Sequence, residues 1–357
     1  MEENIIILGA GASADSGAPL MSNFLDKAED LLASNIDSPT KDCIKKVFHL
    51  LDEMQKVHSK SRLDLNNIET VFGAIEMAQI IKRLGTIAPD EIPDYRRGIV
   101  KLIVRTIEQS MNFGYVNSSV YAPASYQALF DFISKNEKTF KTIITFNYDL
   151  GIDTAAHRAG FRVRYGFEEA SVDQNNINLY KLHGSINWAS STDETKIYPY
   201  YPVWYLNDLH VHNPLGNRGN TKLVISPNMN LINQHFPNLS DIKYDPVIVP
   251  PTWNKTGYHG TLSQIWGKAA EKLSHAKRIF IFGYSLPESD SFFRYLFALG
   301  TLSSTRIRNI VVVNPEPEGG EVDKRFRLLL GESIRSRYQY FSDTFSLAPS
   351  IISRVLR

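Results

Sequence analysis

Five short stretches carry residue types able to do chemistry: Gly9-Ala10-Gly11-Ala12-Ser13, Asn147-Tyr148-Asp149, His183-Gly184-Ser185, Gly283-Tyr284-Ser285 and Asn314-Pro315-Glu316. The first is a glycine turn, where backbone N–H groups and the start of a helix converge on one point and can take up an anion such as a pyrophosphate. Glycines at such turns also serve purely steric needs. Asn147 and Asp149 offer an amide and a carboxylate to a ligand, or else cap the helix that begins near Leu150. His183 has the side chain best poised for proton transfer near neutral pH, although a lone histidine is more often a structural hydrogen bonder than a catalyst. His210 and His212 stand two apart with no thiolate or clear third ligand nearby, so no metal site is expected.

Each of the five stretches follows an apolar run that reads as a buried strand: Ile5–Leu8, Lys141–Phe146, Ile177–Leu182, Arg278–Phe282 and Ile310–Val313. In open α/β sheets ligands bind beyond the carboxyl ends of the strands, so the recurrence of polar or small residues there says more than any one motif. Helical spacing is read over Met21–Ser34 and Tyr121–Asn136, and again over Leu262–Ser274 and around Phe292, Phe293, Leu296 and Phe297. Strands alternating with helices predict an α/β fold with a Rossmann-like, doubly wound, mainly parallel sheet. An ordinary dehydrogenase would carry a second strand ending in an acid roughly 20 residues past the glycines. Asp26, Glu29 and Asp30 occur there but within a helical pattern, where they read as a solvated face.

The chain reads as a single domain over 1–357, with the core in 1–20 and 121–350. Residues 21–120 form a helical insertion, marked by Ile44, Val47, Phe48, Leu51 and Met54, by Ile68, Val71, Phe72, Ile75 and Ala78, and by a helix Gly98–Ser110 after the turn Ala88–Pro93. The insertion covers the site or forms an oligomer surface. Residues 187–258 form a second, loop-rich insertion with Tyr198-Pro199-Tyr200-Tyr201 and Val203-Trp204-Tyr205, and strand-like pieces at Lys222–Ser226 and Pro246–Val249. It reads as a subdomain burying its aromatics rather than as an aromatic wall for a flat ligand.

With 43% hydrophobic and 22% charged residues over 357 positions and a net charge of +1, the composition gives no sign of a polyanion-binding surface, and nucleic acid is not expected as the main ligand. Cys43 is the only cysteine, so an internal disulfide and a thiolate zinc cluster within one chain are excluded. No apolar run approaches the ~20 residues of a membrane helix, and the first strand follows the start without a basic leader. A cytoplasmic protein is the expectation.

Taken in order, the glycine turn, Thr145-Phe146-Asn147-Tyr148-Asp149, Leu182-His183-Gly184, Gly283-Tyr284-Ser285 and Val313-Asn314-Pro315-Glu316 resemble the sirtuin superfamily. Val249-Pro250-Pro251-Thr252-Trp253-Asn254-Lys255 and Ile281-Phe282-Gly283-Tyr284-Ser285-Leu286-Pro287 look like its bacterial sirtuin-like branch, whose members commonly cleave NAD as effectors of antiphage defence. The four-cysteine zinc module and the Asp-Phe-Arg segment of the protein deacylases are missing, which puts peptide deacylation in doubt. The resemblance implies that Gly9, Ala10, Gly11 and Ser13 hold the diphosphate of NAD, with Gly283 and Ser285 closing over phosphate or ribose and Asn314 and Glu316 on the adenosine ribose. It implies that Asn147 orders the nicotinamide ribose or the attacking water, that Asp149 meets the carboxamide, and that His183 is the general base. The implied activity is hydrolysis of NAD, the substrate, to nicotinamide and ADP-ribose without a metal. It further implies a homo-oligomer controlled by a partner such as a HerA-type motor ATPase or an Argonaute-like protein. Binding of NAD or ADP-ribose without turnover, and transfer of ADP-ribose or deacylation, are the competing readings.

Overall fold

Ile5, Ile6, Ile7 and Leu8 are all fully buried, as a strand covered on both faces requires. In the computed structural model, which describes residues 3–34, 36–56, 63–168, 175–209, 218–236, 241–249, 259–288 and 290–357, they belong to β1 (Glu3–Leu8), the middle strand of a seven-stranded sheet. The others are β2 (Thr142–Thr145), β3 (Arg162–Arg164), β4 (Asn176–Lys181), β5 (Ala276–Phe282), β6 (Asn309–Val313) and β7 (Tyr338–Phe341). Their spatial order is β7-β6-β5-β1-β2-β4-β3, with every neighbouring pair parallel. The fold is therefore α/β and Rossmann-like, and its sheet is wholly parallel where a mainly parallel one was expected.

From β1 the chain moves to β2 on one side, and it later returns to β5 on the other. The switch point of the sheet thus lies between β1 and β5, where such folds open a crevice. Four helices, α1 (Phe24–Ala33), α2 (Ser38–Lys56), α3 (Ile68–Ile81) and α4 (Ile92–Ser110), separate β1 from α5 (Ala124–Lys135) and β2. They pack on one another around α4. With the right-handed crossovers that parallel strands adopt, the strand order puts α5 and α6 (Gly151–Arg158) on one face of the sheet and α8 (His259–Ser274), α9 (Ser291–Gly300) and α10 (Glu321–Leu329) on the opposite one; α7 (Pro202–Asp208) lies in the aromatic insertion. No helix among the described residues is long and apolar enough to cross a membrane.

The departures from expectation have local causes. Pro93 sits in the first turn of α4, where its missing N–H costs nothing, so the helix expected from Gly98 already begins at Ile92, directly after a turn at Pro89–Glu91. A hairpin, Phe113–Val116 with Ser119–Tyr121, closes the helical insertion; Asn117 and Ser118 have φ of 47° and 64°, the left-handed pair of a tight two-residue turn. The hairpin pairs with Arg218–Thr221, whereas Lys222–Ser226, expected as a strand, leads into the 3-10 helix Ser226–Gln234. In the aromatic insertion Trp188, Tyr200 and Tyr205 are fully buried, in line with the reading of a subdomain that encloses its aromatics.

Candidate functional site

Register brings the strand ends to one level. Leu8 pairs with Thr145 and Phe282, Phe282 with Val313, and Thr145 with Lys181. Gly9, Phe146, Leu182, Gly283 and Asn314 therefore begin the five turns along a single edge. Across the switch point the two glycine turns interlock: a Cβ on Gly9 would lie 2.6 Å from Tyr284 Cα, and one on Gly11 2.9 Å from Gly283 Cα. Gly283 has φ +60°, and a Cβ there would come within 2.2 Å of Ala12 N. Three residues on, Leu286 adopts φ +50°, which costs a leucine about 1–2 kcal/mol; its fully buried side chain anchors the turn.

The first-turn hydroxyl reaches across to the second strand end. Ser13 Oγ donates to Asp149 Oδ2 at 2.6 Å, and so accepts from Tyr126 OH at 2.6 Å and from Asn147 Nδ2 at 3.1 Å. Asn147 Nδ2 also donates to Gly9 O at 3.0 Å, tying β2's end to the glycine turn. Asp149 Oδ1 accepts Gly151 N at 2.8 Å, meeting the first N–H of α6 from the position before its N-cap, Leu150. Asp149 thus binds the start of α6 while lining the cleft. Burial pushes the Asp149 carboxyl above its ordinary range, against the opposing pull of Ser13, Lys181 and the Gly151 amide. Of the backbone donors expected at the turn, Gly9 N is given to Phe282 O and Gly11 N to Gly283 O.

Beneath this layer lies an enclosed ion pair. Lys181 Nζ is 2.8 Å from Asp153 Oδ2, both side chains fully buried, and it donates to Asp149 O and Ser185 Oγ, each at 2.7 Å. The ammonium thus links the segment after β2 to the one after β4. His183 heads the latter, 4% exposed, with Phe146 edge-on at 5.1 Å. Gly184 turns with φ +90°, and a Cβ there would strike Val247 O at 2.0 Å.

The strand ends and the helical insertion enclose a cavity of about 470 Å³, within the ~300–1,000 Å³ usual for small-molecule sites. Ala10, Gly11, Ser13, Asn147, Asp149, His183, Gly283, Ser285 and Asn314 line it, and Phe24, Ile68, Phe72, Ile103 and Ile107 of α1, α3 and α4 form an apolar roof in which Glu69 is the one acid. Gly9 lies behind the lining in the interlock, and Glu316 is turned to α10, its carboxylate accepting Glu321 N at 3.0 Å and Val322 N at 2.9 Å. Asn314 Oδ1 accepts Glu316 N at 3.0 Å, the hydrogen bond of an Asx turn. No described residue of the aromatic insertion reaches the cavity. His210, His212 and Pro250–Lys255 lie outside the described residues. Among those described, no three His, Cys, Asp or Glu side chains converge as metal ligands would.

Residues 141–199 match the SIR2-like domain family, a stretch well under half of the chain. Solved structures similar to this chain include a Sir2 homologue in complex with NAD, at 13% identity over 99% of this chain and 89% of that one, with a TM-score of 0.44. A serine-to-alanine mutant of a Sir2 homologue with ADP-ribose gives 11%, 99%, 90% and 0.40, and a structure described as the basis for the mechanism and regulation of Sir2 enzymes gives 13%, 100%, 94% and 0.42. No curated protein matches the sequence. The SIR2-like stretch is the one that delivers Asn147, Asp149 and His183 to the cavity.

Proposed function

We propose that this chain is an NAD glycohydrolase that cleaves the bond between nicotinamide and ribose. One observation carries the reading: the SIR2-like stretch places an amide, a carboxyl group and an imidazole in one cavity, against the interlocked glycine turns of a Rossmann-like switch point. The chemistry fits those groups. Breaking the bond builds oxocarbenium character on the ribose, and nicotinamide leaves neutral with the bonding electrons, so no general acid is needed. Fixed dipoles in a dry site help most, and the roof over the site is apolar. In this reading His183 takes a proton from the attacking water, Asn147 orders that water or the ribose, and Asp149 meets the carboxamide. Ala10 and Ser13 hold the diphosphate, Ser285 closes over phosphate or ribose, and Asn314 meets the adenosine ribose, while Gly11 and Gly283, whose N–H groups are given to Gly283 O and Val313 O, let the phosphates approach the backbone closely. Gly9 and Glu316 then act by shaping the two turns.

Incubation of the pure protein with NAD is expected to release nicotinamide and ADP-ribose, and Asn147→Ala and His183→Ala are expected to be folded and inactive. A fully active His183→Ala variant would remove the base assignment. A second reading, NAD binding without turnover, draws on the mutual hydrogen bonds of Ser13, Asn147, Asp149 and Tyr126, which a ligand must displace. Binding of NAD with no release of nicotinamide would favour it. The proposal extends to an NAD-depleting effector in the cytoplasm, assembled as a homo-oligomer and restrained by a partner protein. NAD levels in infected cells with and without the neighbouring genes test that extension.

A further inference from the structure

His183 does not stand alone in its corner. Its Nε2 lies 3.9 Å from Asp290 Oδ2, with the two side chains 5% and 1% exposed. Tyr148 and Trp266 place rings 6.3 and 6.5 Å from the imidazole, in addition to Phe146, so the pair sits in an aromatic enclosure. Asp290 is anchored from two sides. It is the N-cap of α9, with Oδ1 facing Phe293 N at 3.4 Å, and its Oδ2 accepts Tyr284 OH at 2.6 Å. An asparagine caps a helix as well as an aspartate does, so capping alone does not account for a charge that is costly to enclose.

We propose that Asp290 is the positioning residue for His183, so that the base of the site is a His183–Asp290 pair; the inference rests on the hydrolase reading above. In the reaction the attacking water bonds to the ribose carbon and passes its proton to His183. The nicotinamide bond breaks with its electron pair on the leaving group. The imidazolium formed is stabilised by the Asp290 carboxylate, which takes no proton itself, and His183 then returns the proton to solvent. A negative charge within about 4–6 Å favours the protonated imidazole and so makes the neutral ring a stronger base.

Among the described residues, the other groups facing this corner are few. Tyr284, from the turn after β5, and Tyr148, from the segment after β2, have hydroxyls that burial pushes far above their ordinary range, which keeps them neutral. Glu69 on α3 adds a second negative charge, felt at both tyrosines, and Arg294 on α9 an opposing one felt at Tyr284. Asp149 is turned to Ser13.

The Asp290→Asn variant keeps a helix cap and an acceptor for Tyr284 while removing the charge. The sign follows directly: with the charge gone, His183 loses its proton more readily and its titration midpoint moves to lower pH, by about one unit. Followed by NMR of the His183 ring, that midpoint is expected to fall, the acidic limb of kcat/KM to fall with it, and kcat to drop on the order of tenfold to a hundredfold with KM little changed. This is less than the ~10²–10⁴-fold that a general base supplies. Tyr284→Phe removes a donor that competes for Asp290 and is expected to move the midpoint upward. An unmoved midpoint in both variants would overturn the pairing. The NMR titration needs no turnover, so a wild-type protein that releases no nicotinamide would overturn the hydrolase reading and leave the pairing to be decided by the midpoint alone.

Discussion

At the scale of single residues, a fully enclosed carboxyl group must keep its proton or be held by donors, and Asp149 is shared between the two. Its folded pKa lies above the ordinary value of 3.8 because of burial. The native state therefore binds more protons than the unfolded chain in the window from 3.8 upward. The stability Asp149 contributes is complete below that window and is lost as pH rises through the folded value, at about 1.4 kcal/mol per pH unit within it. Asp149→Asn removes the titration. Relative to wild type, the variant is expected to gain stability in urea as pH is raised from 4 to 7; a gap that stays constant or widens against the variant would refute the burial account. Tyr126, Lys181 and Asp290, all partners of site residues, were not legible in the sequence. Ser13 and Tyr126 are 113 positions apart and Lys181 and Asp149 are 32, so only the folded sheet makes them neighbours, and each taken alone is an ordinary residue of a helix, strand or cap.

At the scale of elements, the five strands that carry the site were legible because a parallel strand buried on both faces reads as a near-continuous apolar run, even where Asn178 and Lys181 interrupt β4. The edge strands were not: β3 is the three-residue Arg-Val-Arg, and β7 has no fully buried side chain. Short, half-exposed segments lack the pattern that marks a strand. The glycine turns were legible as a pair of motifs, but their contact was not, and it is the contact that a mutation tests. Gly283→Ala places a Cβ against Ala12 N and forces a left-handed alanine, which costs ~1–3 kcal/mol of strain before any clash. It is expected to lower the melting temperature and abolish NAD binding, whereas Gly319→Ala, also left-handed at φ +82° but with open space around it, should show only the strain. Equal losses in the two variants would mean that the interlock adds nothing. A second contact between distant elements is carried by Glu108, which is buried on α4 and accepts Ile225 N, Ser226 N and Ser226 Oγ, each at 2.7 Å. Glu108→Ala leaves buried donors unmet and is expected to cost about 3 kcal/mol in urea denaturation.

At the scale of the whole molecule, the helical insertion has an inner and an outer face. Inside, it closes the cavity with Phe24, Ile68, Phe72, Ile103 and Ile107, so the site is made jointly by the sheet edge and by the helices. Outside, Met77, Ile80 and Ile81 of α3 are 52%, 54% and 58% exposed and share one helix face, opposite Val71, Ile75 and Ala78, which are buried. A proposed homo-oligomer formed through the insertion has this stripe to bury, and each large apolar side chain fully removed from water is worth roughly 1.5–3 kcal/mol. Ile80→Glu combined with Ile81→Glu is therefore expected to weaken self-association by at least about a hundredfold, seen by sedimentation as a shift to monomer with unchanged helicity. Because α3 also supplies Ile68, Glu69 and Phe72 to the cavity, loss of assembly should lower NAD cleavage as well. A wild-type chain that sediments as a monomer and cleaves NAD at full rate would sink the assembly proposal while leaving the catalytic one standing.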